Sequence, residues 1–219
     1  MNRASFDQAL ADLNQDIVEL GSRTIQVLEQ TKIALTNLDE DLAKRIYDDD
    51  DLIDAKEIEI SDKCITAIIR EQPIAGDLRF LITAMKIGSD LERICDHSAQ
   101  ITKLTRRLLK HNAGQLPESV EEMFDITLDM VRRIVKSYAT NDVEIAKGVY
   151  EDDDRLDKAY KNMVRWIKGK IGENVELVDE FIDYLFITKY FERIGDRTNS
   201  IAKWIIYKER GAIRHYYTK

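Results

Sequence analysis

An all-α fold of six long helices, arranged as two similar three-helix bundles, is predicted by three observations. Of 219 residues, 34% are charged and 44% apolar, with only 2 Pro and 9 Gly. That balance suits long amphipathic helices rather than a sheet protein or a disordered chain. Apolar residues recur at spacings of three and four over long stretches. Finally, Ser89-Asp-Leu-Glu-Arg-Ile-Cys-Asp-His97 returns as Lys189-Tyr-Phe-Glu-Arg-Ile-Gly-Asp-Arg197. The chain is a duplication, and its period near 100 residues is too long for a solenoid unit.

The first helix carries Phe6, Leu10, Leu13, Ile17, Leu20, Thr24, Val27, Thr31, Ala34 and Leu38 on one face. Asn37 and Asp39 break and cap it, and the second helix runs from about Asp39 to about Arg70, stopped by Pro73 and Gly76. Its core stripe is Ile46, Ile53, Ile60 and Ala67. Asp77 can cap a third helix bearing Phe80, Ala84, Ile87, Leu91, Ile94, Ser98, Ile101, Thr105 and Leu108, which ends near His111 to Gly114. Gly114 to Pro117 forms the linker, with Pro117 suited to the first turn of the next helix.

The second half repeats this plan. An offset of 103 turns Ile17, Leu20, Thr24, Val27, Thr31 and Ala34 into Val120, Met123, Thr127, Met130, Ile134 and Ser137. By the last helix the offset is 100, because Glu92 pairs with Glu192, and Gly169 to Gly172 marks the turn where three residues were lost. The expected domains are 1–113 and 117–219, each large enough for a three-helix bundle. The stretch from Gly211 to Lys219 carries no structural signal.

A formal net charge of -8 argues against nucleic acid as a partner. No apolar run approaches the ~18 residues of a bilayer span, and Met1 to Leu10 has no apolar core with a basic flank. No direct membrane insertion and a cytoplasmic location are expected. Cys64 and Cys95 stand far apart, outside any Cys-x-x-Cys pair, and are expected to be reduced thiols within helices.

The chemistry to explain is acidic. Asp50 with Asp54, Glu92 with Asp96, Asp153 with Asp157 and Glu192 with Asp196 all take the form E/D-x-x-x-D. On a helix each pair occupies one face, one turn apart, flanking the core stripe. Like charges at that spacing cost a helix roughly 0.2 to 0.5 kcal/mol per pair, and two such helices side by side gather four carboxylates. Carboxylate-only patches suit hard or borderline cations such as Mg, Mn, Ca or iron. The bland alternative is a solvated face on which Lys44, Lys56, Lys86, Arg93, Lys147, Lys158, Arg193 and Arg197 neutralise the acids.

Catalytic residues are not expected. Glu-x-x-His, a P-loop, Gly-x-Ser-x-Gly and a Gly-rich phosphate turn are all absent from the sequence. His97, beside an acid pair, is expected to be a surface histidine, because the second copy has Arg197 there.

These motifs resemble the PhoU family of phosphate-uptake regulators. The resemblance rests on six helices in two repeats, on Asp-x-x-Ile/Leu-Asp in the second and fifth helices, and on Glu-Arg-Ile-x-Asp in the third and sixth. It implies a cytoplasmic regulatory adaptor, usually a homodimer, that represses the phosphate-starvation response without catalysis of its own. The implied partners are the ATPase of the phosphate ABC transporter and the sensor histidine kinase of the phosphate two-component system. It further implies a multinuclear metal, iron or zinc with magnesium or manganese as alternatives, at Asp50, Asp54, Glu92, Asp96, Asp153, Asp157, Glu192 and Asp196. Two positions depart from the commoner family pattern: Cys95, where Gly is usual, and Arg197, where His is usual. The competing expectation is a metal-binding helical protein, with iron or manganese, in a buffering or hydrolytic role.

Overall fold

Helix follows helix from Arg3 to Arg210 in the computed structural model, which describes residues 3–111, 116–173 and 175–211. The first half comprises α1 (Arg3–Asn37), α2 (Glu40–Asp48), α3 (Asp51–Glu71) and α4 (Ala75–Lys110). The second comprises α5 (Glu118–Thr140), α6 (Val143–Glu173), a 3-10 turn (Val175–Leu177) and α7 (Val178–Arg210). Because α2 and α3 together stand where α6 stands in the copy, each half is a three-helix unit. No strand occurs among the described residues.

Caps explain several of the boundaries. The Asp39 carboxylate accepts from Leu42 N–H at 2.9 Å and starts α2. In the copy, Asn141 ends α5 at φ 52°, and Asp142 Oδ1 accepts from Glu144 and Ile145 N–H to start α6. Gln72, at φ 46°, ends α3 ahead of Pro73. α4 then begins at Ala75, so Gly76 lies inside the helix, and Asp77 binds Arg3 at 3.0 Å instead of capping. Gly169 and Gly172 also fall inside a helix, since α6 continues to Glu173. Gly114, Gln115 and residues 212–219 lie outside the described residues.

The largest departure from expectation is the break at Asp49–Asp50, where one continuous helix is predicted. Asp48 to Asp51 is a run of four carboxylates, poor helix formers that repel one another. The equivalent run, Glu151 to Asp154, stays inside the unbroken α6. There Arg133 of α5 and Arg155, the latter at 3.0 Å, both pair with Asp152, and Gly148 leaves the space that Arg133 occupies. The corresponding first-half positions hold Gln30 and Leu52. Lacking those two cations, the first-half run loosens at Asp49 and Asp50, which keep right-handed helical backbone angles but interrupt the regular ladder.

The two halves share one hydrophobic core, which includes Ile17, Ile60, Leu91, Phe124, Leu156 and Phe191. Gly21 lets α1 approach α5, since a Cβ there would meet Val135 at 2.9 Å. The most extensive helix–helix contact is between α4 and α7. Across it Arg197 reaches Asp90 at 3.5 Å, while the His97 and Tyr190 rings lie 5.6 Å apart. Position 90 corresponds to 190 and 97 to 197, so these contacts are one contact seen twice, through an approximate two-fold relation between the halves. No helix among the described residues is long and apolar enough to cross a membrane.

Candidate metal centre

In the first half, α3 and α4 bring Asp54, Glu92 and Asp96 together, each offering an oxygen within 4.8 Å of the others. The geometry follows from the four-residue spacing on α4 and the face that α3 turns toward it. Arg93 reaches two of the three acids, with Nε 3.3 Å from Glu92 and Nη1 2.5 Å from Asp96. Negative charge remains in excess. Asp54 Oδ1 is buried and has no hydrogen-bond partner.

Burial, then the charge of Asp96, pushes the Glu92 carboxyl up to about 7. The same two causes raise Asp54. Asp50, at the junction of α2 and α3, is pushed up to about 6 by burial and then by Asp96 and Asp54. It stands at the edge of the cluster and also lines a cavity of about 150 Å³ with Arg23, Gln26 and Gln30. Crowded carboxylates whose ionisation is suppressed, one with a partnerless buried oxygen, fit the oxygen-only donor set of a hard cation.

The second half gathers the same residue types more loosely. Asp153, Asp157, Glu192 and Asp196 lie near one another, but no three of them bring oxygens as close among the described residues. Burial pushes Asp153 up to about 6, with Asp157 and Asp196 adding to the rise, while a hydrogen bond from Asn199 opposes it. Partial desolvation and then Glu192 raise Asp196. Two lysines stand here in place of one arginine: Lys189 pairs with Glu192, and Lys161 lies 3.8 Å from Asp157.

Of the cations expected to neutralise the acid pairs, Arg93 does so. Lys44 binds Asp48, Lys56 binds Asp16 and Lys147 binds Glu144. Arg193 covers the Tyr190 ring at 5.4 Å. Arg197 turns away from its own acid pair to Asp90, although its charge still weighs on Asp196. His97 is half-buried against Tyr190, and burial followed by the Arg193 and Arg197 charges holds it down to about 4. It is a packing residue rather than a surface one. Cys64 and Cys95 are free and buried, their thiols pushed up to about 12 by burial, and both are unreactive.

Two contacts beside the acid pairs escaped the reading of the sequence. Asn199 binds Asp153, and its first-half counterpart is Ala99. Cys95 Sγ lies 3.6 Å from Thr24 on α1, whereas at Gly195 a Cβ would meet Leu156 at 2.9 Å and Asp153 Oδ1 at 3.0 Å. Both differences are visible when the halves are aligned, but their contacts run between helices.

Known proteins match along most of the chain. A family model described as the PhoU domain matches residues 17–105 and again 120–205. A PhoU homolog of the phosphate-specific transport system from Clostridium acetobutylicum is 32% identical, covering 94% of this chain and 95% of the relative. The Escherichia coli accessory protein PhoU is 28% identical over 94% of this chain and 86% of its own. The crystal structure of the phosphate transport system regulatory protein PhoU from Streptococcus pneumoniae superposes with a TM-score of 0.88 at 27% identity, covering 95% and 99% of the two chains. That of PhoU from Pseudomonas aeruginosa gives 0.89 at 27% identity, covering 94% and 100%. With both halves matched by the same domain and the whole helical plan shared, the chain belongs to the PhoU family.

Proposed function

We infer that this chain is a regulatory accessory protein of phosphate uptake, restraining the phosphate-starvation response when phosphate is plentiful. The observation that carries the inference is the PhoU domain found in both halves, within a full-length likeness to phosphate-specific transport accessory proteins. The protein works by contact and not by catalysis. It docks as a homodimer on the transporter ATPase and on the sensor histidine kinase at the cytoplasmic side of the membrane.

The acid faces have a structural part in this scheme. A hard cation held by Asp54, Glu92 and Asp96, with Asp50 at its edge, ties α3 to α4 and fixes the outer surface of the first half. The partnerless Asp54 oxygen and the suppressed ionisation of Glu92 support that assignment. The second face, formed by Asp153, Asp157, Glu192 and Asp196, is a weaker cation site because its oxygens converge less closely and Lys189 and Lys161 pair with two of its acids.

The test is secreted phosphatase output in phosphate-rich medium from bacteria lacking this gene. Cells supplied with the intact chain should fall silent. Cells given a folded, equally abundant chain with Glu92, Asp96, Glu192 and Asp196 changed to Ala should not. Silence with both chains would remove the acid faces from the mechanism, and continued output with the intact chain would overturn the regulatory reading itself.

A further inference from the structure

The duplication provides an internal control for the surface. On α3 the side turned away from the core residues Ile53, Ile60 and Cys64 carries Ala55, Ile58, Ile65 and Ile69, and Leu52, about 120° round from Ile58, borders the cavity toward α1. Four of these are large and exposed: Leu52 57%, Ile58 57%, Ile65 44% and Ile69 70%. The same positions on α6 hold Arg155, Lys158, Lys161, Lys168 and Gly172, all exposed. One fold therefore tolerates cations at these places, and the apolar stripe on α3 is not needed for folding. A helix apolar on both faces is ordinarily covered on both.

Charge and area decide what covers it. Asp51 stands at the start of the stripe and Asp54 at its edge toward α4. Asp62, midway along, is exposed on the edge toward α1 and has no ion-pair partner among the described residues. The nearby Lys56 and Lys63 are both held by Asp16 and Glu59. Two copies of this stripe packed together, antiparallel about their middle or parallel, would bring Asp62 close to Asp62. The exposed apolar area is on the order of 400 Å², half of what each side of a standing interface contributes. An anionic bilayer would meet the same acids.

We propose that the outer face of α3 captures an amphipathic helix of a partner protein, whose apolar side chains at i, i+4, i+7 and i+11 cover Ile58, Ile65 and Ile69, with Leu52 at the margin, while a Lys or Arg at its centre meets Asp62. Capture of one helix by a small apolar stripe with a charged register mark suits a partner that is bound and released. The proposal rests on the regulatory reading for the identity of the partner, though not for the capture itself.

The experiment uses the full chain and two labelled synthetic amphipathic helices, identical except for a central Lys or Glu, followed by fluorescence anisotropy. The Lys peptide should bind more tightly than the Glu peptide by on the order of tenfold, and Asp62→Lys should reverse the preference. A chain with Leu52→Arg, Ile58→Lys and Ile65→Lys, which imports the residues of α6, should melt normally, keep its oligomeric state and lose the Lys peptide. Equal binding of the two peptides, or their retention by the triple variant, overturns the proposal. So does dissociation of a dimer by that variant, which would make the stripe a self-interface. Binding of the intact chain to phosphatidylcholine vesicles containing phosphatidylglycerol, abolished in the triple variant, would assign the stripe to a membrane instead. Failure of the intact chain to silence phosphatase output would sink the regulatory reading while leaving these peptide results in force.

Discussion

The two acid faces descend from one design and have become different sites. In the first half Asp54, Glu92 and Asp96 converge around a single arginine, and Asp50 sits where the helix breaks. In the second, Asp153 remains inside a continuous helix, held by Asn199, and lysines compensate Asp157 and Glu192. The candidate ligands are Asp or Glu at all eight positions, so spacing alone does not make the carboxylates converge. What differs is the neighbours: Gln30 against Arg133, Cys95 against Gly195, Ala99 against Asn199.

That contrast can be broken most sharply by removing ligands one half at a time. Asp54→Asn with Glu92→Gln and Asp96→Asn should weaken titrated Mn binding by on the order of a hundredfold, about 2.7 kcal/mol. The matching triple change at Asp157, Glu192 and Asp196 should cost much less, as followed by calorimetry. Equal losses would make the two faces equivalent.

Exchanging the residues at the helix contact should have the next largest effect. Gly195→Cys forces a side chain against buried Leu156 and Asp153, and should cost about 1–3 kcal/mol by denaturant unfolding. Cys95→Gly removes the contact with Thr24 and places a glycine within α4, for about 1 kcal/mol or more. Unchanged unfolding midpoints would show that the contacts at 95 and 195 do not distinguish the halves.

The smallest effect is on pH dependence. Burial and crowding push Glu92 up to about 7, and Asp50 and Asp153 up to about 6, all above ordinary carboxyls. In this range the folded chain holds protons that the unfolded chain has released. The stability gained from these carboxyls is complete below about pH 4 and is lost as pH rises toward 7, while His97, held down to about 4, works the other way between about 6.5 and 4 and offsets part of it. Metal-free protein should therefore melt at a higher temperature at pH 5 than at pH 8, by about 2–4 °C for each kcal/mol involved. Glu92→Gln should lower the upper end of that window from about 7 to about 6. A flat profile in chelator would contradict the crowding of these groups.

How far the sequence could be read follows from the range of each interaction. Helical periodicity and the returning Glu-Arg-Ile-x-Asp segment are local, so the six-helix plan, the duplication and the Asp39 cap were legible. The break at Asp49–Asp50 was not, because it depends on the absence of Arg133 and Arg155 equivalents, one of them on another helix. Arg197 looked like a cation for its own acid pair, since i, i+1 and i, i+5 neighbours are easy to count; its actual partner, Asp90, lies across the α4–α7 contact. The pairing of Asp153 with Asn199 was hidden for the same reason.

The α4–α7 contact has the form of a subunit interface between two copies of one small protein, now joined in a single chain. Joining makes the encounter of the two sides first-order, so their union no longer depends on protein concentration. It also frees each side from having to match itself. In a symmetric pair, a change at position 97 would have appeared twice, once on each partner. Here one copy has become His97, resting on Tyr190, and the other Arg197, bound to Asp90. Fusion thus supplied the licence to specialise: one half could keep a crowded carboxylate cluster and an apolar outer face while the other gained lysines beside its acids and cations on its outer face, with neither compromising a shared core.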